Sequence, residues 1–175
     1  SATFTGYGDP AIGEARSVKV KPDDVIKQSR GGPILANRNA LKGMEALPGT
    51  ARELNAIKSL FSADGARVFL QASATESQIK RDRTISQSGI VVISTHGVLP
   101  SIDAGFTEPG LVFSPPEIAS SLDDGLLLAS EAATLELSAQ LVILSACNTA
   151  SAGQLNNADG LSGLARSFIY SGAHS

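Results

Sequence analysis

One stretch constrains the fold of this chain more than any other, the run from Leu141 to Thr149. It opens with four bulky apolar residues, Leu141 to Leu144, and then changes abruptly to small and polar ones. The run is too short to span a bilayer and is typical of a strand buried on both faces. Such strands belong to parallel sheets that are covered by helices. The only cysteine, Cys147, lies where this strand is expected to end.

The residues after Cys147 predict a loop and then a helix. Residues 151–157 are mostly small and polar, and Asp159 is a suitable N-cap. Four apolar residues then recur at the spacing of one helix face: Leu161, Leu164, Ala165 and Phe168. Gly172 is placed to end this helix. The order of strand, cysteine-bearing turn and helix predicts an open α/β sheet, in which reactive groups gather at the carboxyl ends of the strands.

A second segment repeats this arrangement. Ile90 to Ile93 is a continuous β-branched run that leads directly into Ser94, Thr95, His96 and Gly97. The segment between His96 and Cys147 is long enough for the crossover that joins two parallel strands. If these strands are neighbours, the imidazole and the thiol meet at one edge of the sheet.

An imidazole beside a thiol suits nucleophilic catalysis. Cysteine attacks a carbonyl as the thiolate, and a neighbouring imidazole lowers the pKa of the thiol and later protonates the leaving amine. Gly97 would let a substrate approach closely, and the backbone N–H groups of Gly97 and Cys147 could hold an oxyanion. The same residues also fit a structural interpretation, with Cys147 as a small packed hydrophobe and His96 as a hydrogen-bonded core group.

Composition excludes several classes of protein. The 175 residues suffice for one domain with a core, and with a net charge of −3 and no basic stripe, nucleic acid is not expected as a partner. No apolar stretch approaches about 20 residues, so no membrane association is expected. A single cysteine cannot form an intrachain disulfide, and a free thiol predicts a cytoplasmic location. Two histidines, His174 among them near the chain end, and one cysteine are too few for a typical metal site.

The rest of the chain predicts shorter elements. Ala2–Thr5 predicts a strand and Gly6–Pro10 a turn that ends it, whereas residues 11–46 have weak periodicity and predict an irregular segment. Thr50–Glu53 and Thr75–Gln78 both have capping-box spacing, so each predicts the start of a helix, the second one running to about residue 86. Further short strands are predicted over residues 67–70 and 111–113.

The segments around both reactive residues resemble a known family. Ile93–Gly97 and Leu144–Ala150 are similar to the His-Gly and Ala-Cys motifs of the CHAT domain, which is caspase-like and related to separase and the gingipains. Phe4–Pro10 resembles the first strand of that family, which ends in Gly-x-Gly-Asp-Pro. Residues 47–53, 124–131 and 160–166 are similar to other segments of the family, so the resemblance extends over most of the chain.

The resemblance implies a three-layer, caspase-like α/β fold with a mostly parallel sheet. It also implies a cysteine endopeptidase in which His96 is the general base and acid and Cys147 is the nucleophile, with no required third acid. The Gly97 and Cys147 amides would form the oxyanion hole, and neither a metal nor another cofactor is expected. Family members lead us to expect cleavage after a basic P1 residue, which is the residue whose carbonyl is attacked.

The resemblance also bears on domain organisation and partners. A protein or peptide is the expected substrate, and because CHAT domains often occur with TPR repeats, TPR-containing regions or regulatory proteins are expected partners. The family pattern continues beyond residue 173 into another strand and a segment with Trp and Asp that helps to hold P1 in related peptidases. This sequence has no Trp and ends at Ser175. We therefore expect one CHAT-type domain over residues 1–175, incomplete at one or both ends and truncated on its C-terminal side.

Two other functions remain open from the sequence. The first is a catalytically inactive CHAT module that acts in protein–protein interaction or regulation. The second is a small-molecule hydrolase that uses the same pair of residues. The endopeptidase and these two alternatives share the same fold. They differ in whether Cys147 is a nucleophile and whether His96 is within reach of it.

Overall fold

The structure is a computed structural model, and it describes residues 3–13, 24–28, 34–100, 107–148 and 157–175. The strands in these ranges are β1 (Phe4–Pro10), β2 (Ile26–Gln28), β3 (Ile34–Ala36), β4 (Ala66–Gln71), β5 (Ile90–Val98), β6 (Gly110–Val112), β7 (Leu126–Leu128) and β8 (Leu141–Asn148). The helices are α1 (Arg38–Lys42), α2 (Pro48–Lys58), α3 (Glu76–Arg81), α4 (Ala129–Ala132) and α5 (Asn157–Tyr170). None of these helices is both long and apolar enough to cross a membrane.

A six-stranded sheet forms the centre of the fold. Its main part is parallel and runs in the order β4-β1-β5-β8. At the carboxyl end of β5, strands β6 and β7 extend the sheet in antiparallel orientation. Strands β2 and β3 form a separate antiparallel pair. The prediction of an α/β fold with a mostly parallel sheet is therefore confirmed.

Helices cover both faces of this sheet. Neighbouring residues of β5 alternate between two cores: Val92 packs with Leu54 of α2, while Val91 and Ile93 belong to a larger cluster on the opposite face. That larger cluster receives apolar side chains from α3, α4 and α5, among them Ile79, Ala132, Leu164 and Phe168. The result is the three-layer, caspase-like arrangement that the sequence predicted.

Strand β1 is longer than the sequence pattern indicated. Gly6–Pro10 was predicted as a turn, but β1 continues to Pro10 and pairs with β4 and β5. The glycines serve packing here, because a Cβ on Gly8 would lie 2.7 Å from Leu54 Cδ1 and one on Gly6 would lie 2.9 Å from Leu54 Cδ2. The prediction of a turn was wrong because glycine marks close approach of a helix as well as chain reversal.

The two capping boxes have different outcomes. At α3, Thr75 Oγ1 accepts a hydrogen bond from Gln78 N at 3.1 Å, as the spacing predicted, although the helix ends at Arg81 rather than near residue 86. Helix α2 instead begins at Pro48, whose fixed φ suits the first helical position. The Thr50 hydroxyl therefore lies inside the first turn, where it donates to Leu47 O and accepts from Asp9 N. The predicted cap at Thr50 was wrong.

Strand β8 is buried on one face only. Val142, Leu144 and Ala146 pack against the larger core, but Leu141 and Ile143 on the other face are 38% and 42% exposed. The prediction of burial on both faces was wrong because α2 packs over β1 and β4, on the far side of β5 from β8. Among the described residues β8 lies at the edge of the sheet, so an edge strand can carry an apolar run that looks like a central strand.

The region between β1 and α2 and the C-terminal helix also differ in detail from the sequence patterns. Residues 11–46 were predicted to be irregular, and their described part contains β2, β3 and α1. Helix α5 begins at Asn157, so Asp159 lies within its first turn and is not the N-cap. Gly172 follows the helix with φ of 106°, as the prediction of a glycine stop requires.

Candidate active site

The predicted reactive residues lie side by side in the sheet. In the parallel pair of β5 and β8, His96 is in register with Cys147, and Gly97 is in register with Asn148. Neighbouring strands are about 4.8 Å apart, so these backbone positions adjoin at the carboxyl edge of the parallel sheet. The structure thus brings together His96, Gly97 and Cys147, while the catalytic roles assigned to them stay predictions.

The His96 imidazole is held by a main-chain acceptor. Its side chain is 1% exposed, and Nε2 lies 2.7 Å from the carbonyl oxygen of Glu45. Because a carbonyl oxygen only accepts hydrogen bonds, Nε2 carries a proton. In the neutral ring the lone pair is then at Nδ1, which is the nitrogen that can take up a proton. This contact fixes both the tautomer and the orientation of the ring.

Glu45 is a contributor to the site that the sequence did not reveal. It lies between α1 and α2, in a segment without regular structure, and its side chain is exposed. Its contribution comes from the main-chain carbonyl, which every residue type possesses. No residue-type motif could have signalled it, and only the fold brings this carbonyl to His96.

The end of β5 is supported from its other side as well. Gly97 is in register with Leu111 of β6, and the buried Thr95 hydroxyl donates to Val112 O at 2.5 Å. The segment that carries His96 is therefore enclosed between β8 and β6. Such two-sided support restricts the backbone on which any catalytic geometry would depend.

A buried ionic network lies among α3, α4 and the turn before β7. Glu76, which is 1% exposed, pairs with Lys80 and accepts hydrogen bonds from Asp124 N at 2.7 Å and Gly125 N at 2.9 Å. Lys80 Nζ also donates to Glu131 Oε1 at 2.7 Å. Burial raises the pKa of Glu76 to about 7. These contacts make the network structural, since backbone donors and one lysine occupy the carboxylate oxygens.

The described residues offer no evident metal centre. Within the described ranges, no group of three or more His, Cys, Asp or Glu side chains is arranged to hold a metal ion. Asp123 and Asp124 are adjacent in sequence, but the Asp124 carboxylate accepts hydrogen bonds from Ala36 N and Leu126 N. That acid therefore organises the start of β7.

Comparison with known proteins identifies the family. The model of the CHAT domain family matches residues 10–175, a range that contains His96, Gly97 and Cys147. Searches of curated proteins and of solved structures found no match. The family match extends over more than nine-tenths of the sequence and agrees with the caspase-like architecture of the sheet. The chain therefore belongs to the CHAT domain family.

Proposed function

We propose that this CHAT domain is a cysteine endopeptidase that hydrolyses peptide bonds through His96 and Cys147. The observation that carries the proposal is the register of β5 and β8, in which these two residues are direct neighbours. Membership of a caspase-like family supports a peptidase-like chemistry. The Glu45 carbonyl also holds the buried imidazole in one orientation, which supports its use as the base.

The first half of the reaction forms a thioester. His96 Nδ1 takes the thiol proton of Cys147, and the thiolate attacks the carbonyl carbon of the scissile peptide bond. The negative charge that develops on the carbonyl oxygen needs backbone donors, and the N–H groups of Gly97 and Cys147 are our candidates. When the C–N bond breaks, the imidazolium returns its proton to the leaving amine.

The second half regenerates the enzyme. A water molecule gives a proton to His96 and attacks the thioester carbonyl, and the acid product leaves as the thiolate departs. The thiolate then recovers the proton from the imidazolium. The Glu45 carbonyl accepts a hydrogen bond from His96 Nε2–H throughout the reaction. This bond stabilises the imidazolium, and no proton is transferred to the carbonyl.

Covalent labelling tests this proposal directly. The chain has one cysteine and two histidines, so an acyloxymethyl ketone with arginine at P1 can label one thiol, and intact-mass spectrometry reports it. We expect labelling of the wild-type chain, none for Cys147→Ala, and at least a roughly hundredfold slower rate for His96→Ala. His174→Ala is the matched control because this histidine is exposed, and it should label at the wild-type rate.

The possible results separate the proposed function from its alternative. Labelling that is equally fast in His96→Ala and wild type would mean that the thiol reacts without a base, which contradicts the proposed mechanism. Absence of labelling in a folded wild-type chain would favour a catalytically inactive CHAT module that acts through protein–protein interaction or regulation. Circular dichroism of each variant establishes that the compared proteins are folded.

A further inference from the structure

The carbonyl that binds the His96 imidazole belongs to residues 44–46, which we call the acceptor segment. Met44 anchors the start of this segment in the core. It is 5% exposed and belongs to the same apolar cluster as Val98, which lies two positions after His96. The side chains of Glu45 and of the residue after it are exposed, so they do not fix the position of the carbonyl.

Gly13 lies against the other end of the acceptor segment. Its N–H donates to Lys42 O at 2.9 Å, just before the segment begins. A Cβ on Gly13 would lie 2.9 Å from Ala46 Cβ and 3.0 Å from Ala46 N. The chain that follows β1 is thus in close contact with the backbone immediately after Glu45. This contact and the buried Met44 hold the segment at both of its ends.

Glycine suits this position for two reasons. Gly13 has φ of 82°, in the part of the backbone map that residues with a Cβ rarely adopt. A Cβ would also meet the backbone nitrogen of Ala46, which cannot turn aside as a flexible side chain does. A displacement of the acceptor segment by about 0.5 Å would lengthen the 2.7 Å contact between Glu45 O and His96 Nε2 to the limit of a normal hydrogen bond.

We propose that Gly13 is a positioning residue for the candidate base, because its missing side chain lets the acceptor segment hold the His96 ring in the Nε2–H tautomer. The inference rests on the proposed peptidase function, since the tautomer matters for catalysis only if His96 is the base. Gly13 acts through the Glu45 carbonyl and not on the reacting atoms. Loss of this acceptor removes the bond that favours Nε2–H, so the fraction of rings with a lone pair on Nδ1 falls.

Histidine NMR measures this effect without any reaction. The chain has two histidines, and NMR of isotope-labelled imidazole rings shows which nitrogen carries the proton. At a pH where both rings are neutral, we expect wild-type His96 in the Nε2–H tautomer and the exposed His174 in a mixture of tautomers. In Gly13→Ala, the His96 signals should lose this single tautomer and shift toward those of a mixture, whereas the His174 signals should stay unchanged.

The chain offers two matched control variants. Gly49→Ala adds the same methyl group near the start of α2, where nothing lies within 4 Å of the new Cβ. Gly172→Ala controls for strain elsewhere, because Gly172 has φ of 106° and a Cβ there would collide with Leu137 O. Both variants should leave the His96 tautomer unchanged. If Gly13→Ala does not fold, Gly13→Asn replaces it, since asparagine tolerates positive φ and adds the same Cβ.

Covalent labelling of Cys147 connects the tautomer to the proposed reaction. With the arginine acyloxymethyl ketone, we expect Gly13→Ala to label at least roughly tenfold more slowly than the wild type, because a small misplacement of a catalytic group slows a reaction strongly. Gly49→Ala and Gly172→Ala should label at the wild-type rate. Adding Ala46→Gly to Gly13→Ala removes the atom nearest to the new Cβ and should restore part of both the rate and the tautomer.

The outcomes distinguish the positioning role from the peptidase. An unchanged His96 tautomer in folded Gly13→Ala, or a wild-type labelling rate in that variant, would overturn the positioning role. An equal change of the tautomer in Gly172→Ala would point to general destabilisation and would overturn it as well. If the tautomer changes only in the Gly13 variants but the wild-type chain does not label, the peptidase fails while the positioning of the ring stands. If the wild-type chain does not label and the tautomer does not change, both proposals fall.

Discussion

At the scale of single residues, Glu76 is a buried charge with consequences for stability. Burial raises its pKa from 4.5 to about 7, although Lys80 and two backbone N–H groups favour the ionised form. Burial alone would lower the pKa of Lys80, but hydrogen bonds to Glu131 and Glu76 outweigh it and raise that pKa. The lysine therefore stays charged at neutral pH, and the titration of Glu76 changes the balance of the network.

This shift predicts how stability depends on pH. Between pH 4.5 and 7 the folded state retains a proton on Glu76 that the unfolded chain has lost, so the free energy of unfolding should fall as the pH rises through this window. We expect a decrease on the order of 2 kcal/mol for the wild-type chain and a flatter profile for Glu76→Gln. Urea denaturation from pH 5 to pH 8 measures both. Glu136→Gln, at an exposed position, should follow the wild type, and an equally steep profile for Glu76→Gln would contradict this assignment.

At the scale of elements, the docking of α2 on β1 depends on one leucine. Leu54 is fully buried and lies over Gly6 and Gly8, where any Cβ would collide with it. The contact joins an apolar helix position to two strand positions that have no side chain. The role of the two glycines is visible only when Leu54 is in place, because they leave room for its side chain. From the sequence alone they were therefore predicted to form a turn.

Truncation of this leucine should be costly. We expect Leu54→Ala to lower the free energy of unfolding by about 3 kcal/mol, because the cavity lies between a helix and a sheet that cannot close together. Leu60→Ala is the matched control just beyond the same helix, since Leu60 is 81% exposed and its truncation should change stability by less than about 0.5 kcal/mol. Chemical denaturation with a constant m-value would test the pair, and similar losses for both variants would contradict the packing described for α2.

Sequence patterns predicted single elements correctly where the signal comes from neighbouring residues in the chain. Strands β5 and β8 and the start of α3 were predicted because apolar runs and the Thr75 cap are local signals. The start of α2 was misplaced because the helix begins at Pro48, and the Thr50 hydroxyl bonds Leu47 O and the distant Asp9 N instead of capping the helix. Local patterns are reliable only where local bonds satisfy the polar groups.

At the scale of the whole molecule, the sheet has one side with little cover. In the described part of the chain β8 pairs only with β5, and Leu141 and Ile143 expose apolar surface beside it. Near its start, Val142 N donates to Ser175 O at 2.7 Å, and His174 N donates to Ala139 O at 3.0 Å. Exposed apolar edge strands promote association between sheets.

A charge on this strand should therefore reduce self-association of the chain. We expect Ile143→Lys to lower the weight-average mass at high protein concentration, as measured by light scattering. Ile169→Lys introduces the same charge at a 57% exposed position on α5, outside the strand itself, and should have a smaller effect. Equal effects of both substitutions would indicate that net charge, and not the edge of β8, controls association.

The sequence by itself determined the α/β class, the identity of the two main strands and the placement of His96 and Cys147 at their ends. These features follow from short apolar runs, capping residues and motif residues that are contiguous in the chain. Only the tertiary structure decided that His96 and Cys147 are in register, that the Glu45 carbonyl binds the imidazole, and that Gly13 packs against Ala46. The reason is physical: strand register, main-chain acceptors and close backbone approach arise from contacts between distant segments, and no local pattern of residue types encodes them.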